Sequence, residues 1–337
     1  MSIVVAGFDI HRAQITFDAL DAESGEIRRG RIAATPAAVV EWVGRFPDRE
    51  VEVALEACTG WYFVARALES AGATRHLAEV AETRARRGRK RRAKTDRTDA
   101  RWLRQLLTEG RLPEAWIRPD HICELRTRTR LRKTLTDERT AWLQRIQATL
   151  FHVADAGGPG GRASKGVAGG NRASGGGARA DRGLPRDDRG DRASARPLDG
   201  ELRAYSRRQS GCRALARHFG IGGATAPTIL AELGDVTRLR RSRQAVRLAG
   251  LDIGVSRSDR RSRVGKITKQ GSPHLRWALY EAAQSACRDT SPDHGEYLAL
   301  RARKLSHTRA SLTIARKLAR RCYHALRELG AEALEPA

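Results

Sequence analysis

The sequence predicts an α/β domain followed by a mostly α-helical one, and three observations carry that expectation. Short β-rich runs alternate with helical periodicity over residues 1–80, the pattern of strands joined through crossover helices. Helical periodicity dominates again from residue 201 to residue 332. Between the two lies a segment with almost no large apolar side chains. A chain of 337 residues is long enough for two domains, each burying its own core.

The first strand is I-V-V-A-G-F-D, residues 3–9. Runs over 14–20 and 26–33, the second following the Ser24-Gly25 turn, continue it as an antiparallel meander. Thr35 followed by Pro36 is a helix start, with Ala37, Val40, Val43 and Phe46 spaced to share its buried side. Residues 51–56 return as a strand, a helix over 60–70 stops at Gly72, and 74–80 forms a further strand. A long helix over 124–153 follows, with Leu125, Leu131, Leu135, Trp142, Ile146 and Leu150 as its apolar stripe. Thirteen of the 45 residues from 156 to 200 are Gly, so this segment cannot repay its ordering entropy and is expected to be a disordered connector. The expected organisation is therefore 1–120, a helical arm at 121–153, a connector at 154–200, and a helical domain at 201–332.

Charge narrows the function. The 64 Lys and Arg outnumber the 39 Asp and Glu to give a net charge of +25, which points to a polyanionic partner and away from an ordinary metabolic enzyme. Nucleic acid is that partner. No apolar run approaches the roughly 18 residues of a membrane span, and the start has no basic segment before a signal-like core, so the expected location is the cytoplasm. Cys58, Cys123, Cys212, Cys287 and Cys322 are scattered, with neither a zinc-type pair nor a disulfide framework, and read as reduced, small apolar residues.

Four carboxylates could carry chemistry. Asp9 ends the first strand and Glu56 ends V-E-V-A-L-E, while Asp96 and Asp99 lie three apart at a helix start in K-T-D-R-T-D-A. Together they could hold two Mg²⁺ ions about 3.5–4 Å apart, the arrangement that stabilises both oxygens of a phosphoryl transfer. Singly, each is more often a turn former or a helix cap. Residues 84–104 contain eleven basic side chains around the two aspartates, and Arg87, Arg89, Lys90, Arg91, Arg92 and Lys94 are placed to bring a phosphodiester in. In the second domain, Gly220-Ile221-Gly222-Gly223 between two helical runs resembles a helix-hairpin-helix, with Gly220 and Gly222 as phosphate contacts, or a plain helix-helix turn. Ser256, Ser258 and Ser262 sit among Arg260, Arg261, Lys266, Lys269 and Arg276; a hydroxyl there could attack phosphorus or merely contact phosphate.

In order, the motifs are G-F-D-I-H, A-L-E-A-C-T-G, K-T-D-R-T-D-A, G-I-G-x-x-x-A-x-x-I-L-A-E-L-G-D, L-A-G-L and K-Q-G-x-x-x-L-R-W-A-L. This series resembles the DEDD transposases of the insertion-sequence one-hundred-and-ten family, over roughly residues 1–152 and 201–330. The resemblance implies a RuvC-like, ribonuclease-H-like α/β N-terminal domain, a coiled-coil arm and a C-terminal transposase domain. It makes Asp9, Glu56, Asp96 and Asp99 the metal tetrad. It also makes Ser258, tenth in the stretch that begins at Ala249, the nucleophile that forms a phosphoserine link to DNA, although Asp259 follows it where many relatives have Gly. Members of the family act as homo-oligomers, with one subunit's carboxylates beside another's serine, and are guided by a structured bridge RNA. Relatives carry a Leu-rich helical region where this chain has its Gly-rich connector, whose composition suggests GC-rich codons read between two compensating frameshifts.

The expected function is an RNA-guided DNA transposase using two Mg²⁺ ions and Ser258, with DNA and bridge RNA as partners. The rivals are a RuvC-like structure-selective nuclease in which water attacks, and a decayed transposase that only binds nucleic acid.

Overall fold

The computed structural model describes residues 3–87, 95–155, 186–258 and 261–337. Contacts divide the chain into Met1–Ile117 and Arg118–Ala337.

The first unit is built on a five-stranded sheet of order β3-β2-β1-β4-β5. β1 (Ile3–Ile10), β2 (Gln14–Asp21) and β3 (Ile27–Ala33) form the expected antiparallel meander, and β4 (Glu50–Glu56) and β5 (Thr74–Ala78) add parallel to it. Alternation sorts side chains to two faces. Val4, Ala6 and Phe8 of β1 join Val51, Val53 and Leu55 of β4 in a core with α1 (Pro36–Val43) and α2 (Trp61–Ser70). Gly7 and Ala54 look the other way, where α4 (Asp96–Thr108) packs.

Two sequence expectations change here. Thr35 does cap α1, accepting from the Ala38 N–H with Pro36 in the first turn, but the buried side is Val39, Trp42 and Val43, while Val40 is 43% exposed and Ala37 is exposed too. Trp42 sets the rotation: its ring meets Phe8, Phe17 and Phe46 edge-on at 4.8, 5.5 and 5.1 Å, a larger apolar burial than the valine stripe offers. The last strand stops at Ala78, because the Glu79 carboxylate accepts from the Glu82 N–H and caps α3 (Val80–Arg86), turning Val80 into a helical residue.

The position of α4 is fixed from both ends. A Cβ on Gly7 would lie 2.1 Å from the Ala100 carbonyl oxygen and 2.5 Å from the Arg104 nitrogen, so helix backbone rests directly on β1. Beside Gly7 in the sheet register is Asp18, 1% exposed, which accepts from Arg104 Nε and, at 2.7 Å, from Arg29 Nε. At its start the helix carries a capping box in which Thr95 and Thr98 exchange hydrogen bonds.

The second unit is helical except for one hairpin. Its members are α5 (Asp120–Asp155), α6 (Arg186–Arg208), α7 (Ser210–Ala216), α8 (Thr225–Leu233), α9 (Ser242–Leu248), α10 (Pro273–Gln284), α11 (His294–Ala302) and α12 (His307–Leu329). The hairpin pairs β6 (Ile253–Ser258) with β7 (Arg261–Ile267). The core gathers around α8, α10 and α12, and Cys212 and Cys322 lie in it as small apolar residues, burial pushing both thiols up to about 12. Of the stripe expected on the long helix, Leu125 is buried, but Leu131, Trp142 and Leu150 are 51, 56 and 61% exposed. What holds α5 is polar: Arg126 and Arg130 converge on Glu232 of α8, whose side chain is fully buried and also accepts from Ser272 Oγ at 2.8 Å. Of the stretch expected as a connector, residues 186–200 belong to α6, and 156–185 lie outside the described residues.

Arg104→Ala would leave the buried Asp18 with the half-exposed Arg29 as its remaining cation, and should cost about 2 kcal/mol. Urea unfolding of the variant against the parent measures it, and a loss below about 1 kcal/mol would mean that α4 is held by apolar packing alone.

Candidate metal and nucleic-acid site

The sheet register brings the first two carboxylates together. In the parallel β1/β4 pairing the last matched residues are Phe8 and Leu55, so Asp9 and Glu56 follow one step on, at the carboxyl ends of neighbouring strands. Both leave the sheet on the α4 face, as alternation from Gly7 and Ala54 requires. Asp96 opens α4 and Asp99 lies one turn on, so the packing of α4 at Gly7 delivers both aspartates to the same end of the sheet. The four carboxylates that sequence spacing singled out therefore meet.

Their electrostatics show negative charge held close. Burial pushes the Asp9 carboxyl up; the His11 charge and hydrogen bond work against this, and the Asp99 and Asp96 charges add to it. Burial likewise raises Glu56, with Asp99 and Asp9 adding, and Arg87 and Arg84 opposing. Asp99 has a counter-ion in Arg87, whose Nη1 donates to it at 2.5 Å. Arg87, expected to meet nucleic acid, is thus engaged within its own unit.

Sequence spacing missed His11. Its Nε2 lies 3.1 Å from Asp9 Oδ2 and 3.3 Å from Asp96 Oδ1. The signal was present in D-I-H: two residues apart at a strand end, Asp9 and His11 share a face. One ligand atom each from Asp9, His11 and Asp96 falls within 4.8 Å of the others. Partly buried, mutually repelling carboxylates with hard oxygen donors suit a divalent cation such as Mg²⁺. Asp9, His11 and Asp96 place candidate ligand atoms together, with Glu56 and Asp99 close enough to add to the charge.

The other expected contacts divide. Arg89, Lys90, Arg91, Arg92 and Lys94 lie outside the described residues, as does Arg260. Ser258 ends β6, with Arg261 paired opposite it across the hairpin. Lys266 and Lys269 are exposed, whereas Arg276 holds backbone, donating through Nη1 to the Ala249 carbonyl at 3.0 Å. The glycine turn differs from the expected phosphate-binding hairpin. Gly220, at φ +88, is required because a Cβ would lie 2.3 Å from the Ala282 carbonyl oxygen. The N–H of Gly222 is taken by Thr225 Oγ1 at 2.8 Å, and that of Ile221 by the His218 carbonyl.

Residues 6–153 match a family model described as "Transposase", of the DEDD IS110 type, and residues 212–299 match one described as "Transposase IS116/IS110/IS902 family". The chain belongs to the IS110 family of DEDD transposases. The two matches leave residues 154–211 between them. Comparison with curated proteins gave no match. Among the described residues no helix is long and apolar enough to cross a membrane.

A raised carboxyl favours the fold below its unfolded pKa, and that contribution is lost as pH rises through the raised value. In the absence of divalent cations, Asp9→Asn should therefore reduce the stability that the protein loses between about pH 4 and about pH 7, measured by urea unfolding at both. The same substitution should remove the rise in melting temperature that Mg²⁺ gives the parent. An equal pH-dependent loss, or an undiminished Mg²⁺ response, would place the charge elsewhere.

Proposed function

We propose that this transposase moves an insertion sequence by Mg²⁺-dependent, serine-mediated DNA strand transfer guided by a structured bridge RNA. The observation that carries the metal part is the convergence of Asp9, Glu56, Asp96 and Asp99 at one end of the sheet, with Asp9 and Glu56 made harder to ionise by burial and by one another. The sheet order, with a three-stranded meander and two parallel strands beyond it, supports a ribonuclease-H-like, RuvC-like domain. Two Mg²⁺ ions held by the tetrad would neutralise charge on the scissile phosphate and on its leaving oxygen.

The chain's own groups supply the remainder. The Ser258 hydroxyl attacks phosphorus, its proton is released, a phosphoserine bond forms, and the bond from phosphorus to the departing sugar oxygen breaks with that oxygen taking up a proton. The energy of the broken phosphodiester is retained in the new one, so rejoining needs no nucleotide cofactor. Arg87 and His11 hold the carboxylates while metal is absent. With Mg²⁺ held by the carboxylates, the Arg87 guanidinium would be available to phosphate. The basic run that includes Arg89, Lys90, Arg91, Arg92 and Lys94 supplies attraction to DNA and RNA, and the protein acts as a homo-oligomer, dimer or tetramer. The stretch 154–200 derives from compensating frameshifts, which a helical, Leu-rich translation of the gene segment in another frame would support.

With Mg²⁺, element-end DNA and the RNA encoded beside the element, the intact protein should form a covalent DNA adduct. Ser258→Ala and Asp9→Asn should each abolish both adduct and strand exchange. Cleavage of branched DNA by Ser258→Ala would identify a nuclease in which water attacks, and absence of adduct from the parent protein would identify a binding-only transposase.

A further inference from the structure

A groove of about 1190 Å³ runs through the second unit, and the strand-transfer chemistry above makes no use of it. Its floor is apolar and partly aromatic, from Trp277 and Tyr280 of α10, Ile267 of β7, Leu300 of α11, and Leu305 and Leu312. Its rim is cationic: Lys266, Lys269, Arg276, Arg303, Arg309 and Arg316 line it, and among the described residues no acidic side chain does.

Arg316 is the most informative of these. It is half-buried, and burial, with Arg320 adding, holds its guanidinium below the ordinary range. Among the described residues it donates only to the Leu312 carbonyl at 3.2 Å and to Thr313 Oγ1 at 3.4 Å. A half-buried guanidinium with no carboxylate among the described residues leaves positive charge available to an anion from outside. With Arg276 also partly buried and Lys266, Lys269, Arg303 and Arg309 exposed, six cations line one groove, a concentration of charge that attracts a polyanion.

The floor decides which polyanion. A duplex offers phosphates and sugars with its base faces stacked away, which would leave Trp277 and Tyr280 without partners. Unpaired nucleotides offer phosphates and free π-faces together, the combination that aromatic floors with cationic rims accept. Trp277 already has one cation near its ring, Lys133 Nζ at 5.1 Å from the centroid, so the ring lies in a positive field suited to a nucleotide. The foot of the hairpin, at Ile253, Gly265, Lys266 and Ile267, walls the groove, and the same β6 strand leads from Ile253 to Ser258.

We propose that this groove holds a run of unpaired DNA nucleotides next to the bond being exchanged, with phosphates on the rim and bases stacked on Trp277 and Tyr280. The choice of DNA over RNA rests on the strand-transfer function proposed above.

The test uses the full chain and a short single-stranded DNA carrying 2-aminopurine, whose fluorescence falls on stacking, with the same sequence as RNA and as duplex DNA for comparison. Trp277→Leu should weaken single-strand binding by about tenfold and remove the quench, while leaving duplex affinity within about twofold. Arg309→Gln, at an exposed rim position, keeps the test open if Trp277→Leu does not fold; it should weaken single-strand binding and lower the log–log salt slope by about 0.7. Unchanged single-strand affinity in folded variants would overturn the proposal, as would tighter binding of the RNA than of the DNA. Strand transfer is read separately: a parent protein that quenches the probe yet forms no serine adduct would refute that chemistry and leave the groove's role standing.

Discussion

The buried ion pair between Asp18 and Arg104 is the constraint on which the candidate site depends. The two residues are 86 apart in sequence, and neither can be left alone in an apolar layer without a large desolvation cost. Their pairing requires α4 to cross the sheet at β1, and Gly7 lets the helix backbone come close enough for the pair to form. Asp96 and Asp99 then have no freedom to lie elsewhere: a helix held at Ala100 and Arg104 presents its first turn beyond the ends of β1 and β4, where Asp9 and Glu56 emerge. Burial, with the neighbouring carboxylates adding, raises the Asp9 and Glu56 carboxyls, and His11 at Asp9 and Arg87 at Glu56 partly offset this. A site assembled in this way is strained electrostatically and sound mechanically, which suits the binding of divalent cations.

The second unit repeats the principle, a buried carboxylate held by two arginines. Glu232 is buried on α8; burial works to raise its carboxyl, but hydrogen bonds from Arg130 and the charges of Arg126 and Arg130 outweigh this and hold it low. The arrangement ties α5, α8 and, through Ser272, the start of α10 to one buried carboxylate. Burial brings the Arg126 guanidinium down to about 10, against the pull of the Glu232 charge. With α10 so placed, Trp277 and Tyr280 face the groove, and Arg316 of α12 faces it without an acid of its own.

Much of this was legible in the chain because it rests on local rules. Strand alternation, the Thr35-Pro36 helix start and the three-residue spacing of Asp96 and Asp99 need no distant partner to be recognised. The errors arose where a distant partner decides. The face of α1 was set by Trp42 meeting Phe8 and Phe17, not by the valine repeat. The stripe on α5 looked like a packing seam, yet Leu131, Trp142 and Leu150 are exposed, and the helix is anchored near its start by the buried Ile122 and Leu125 and by Arg126 and Arg130 on Glu232. Gly220 and Gly222 looked alike in sequence; one is demanded by the Ala282 carbonyl and the other is capped by Thr225.

By itself, the sequence determined the family, the order of the five strands of the first unit, the four acidic positions and the excess of positive charge, since each is carried by residue types at short spacing. Only the tertiary structure decided that the four carboxylates share one end of one sheet, that His11 joins them, that Arg87 is already paired, and that six cations surround an aromatic floor. The physical reason is the same in each case: charge acts through space, and which charges become neighbours is set by how helices are laid on sheets and on one another.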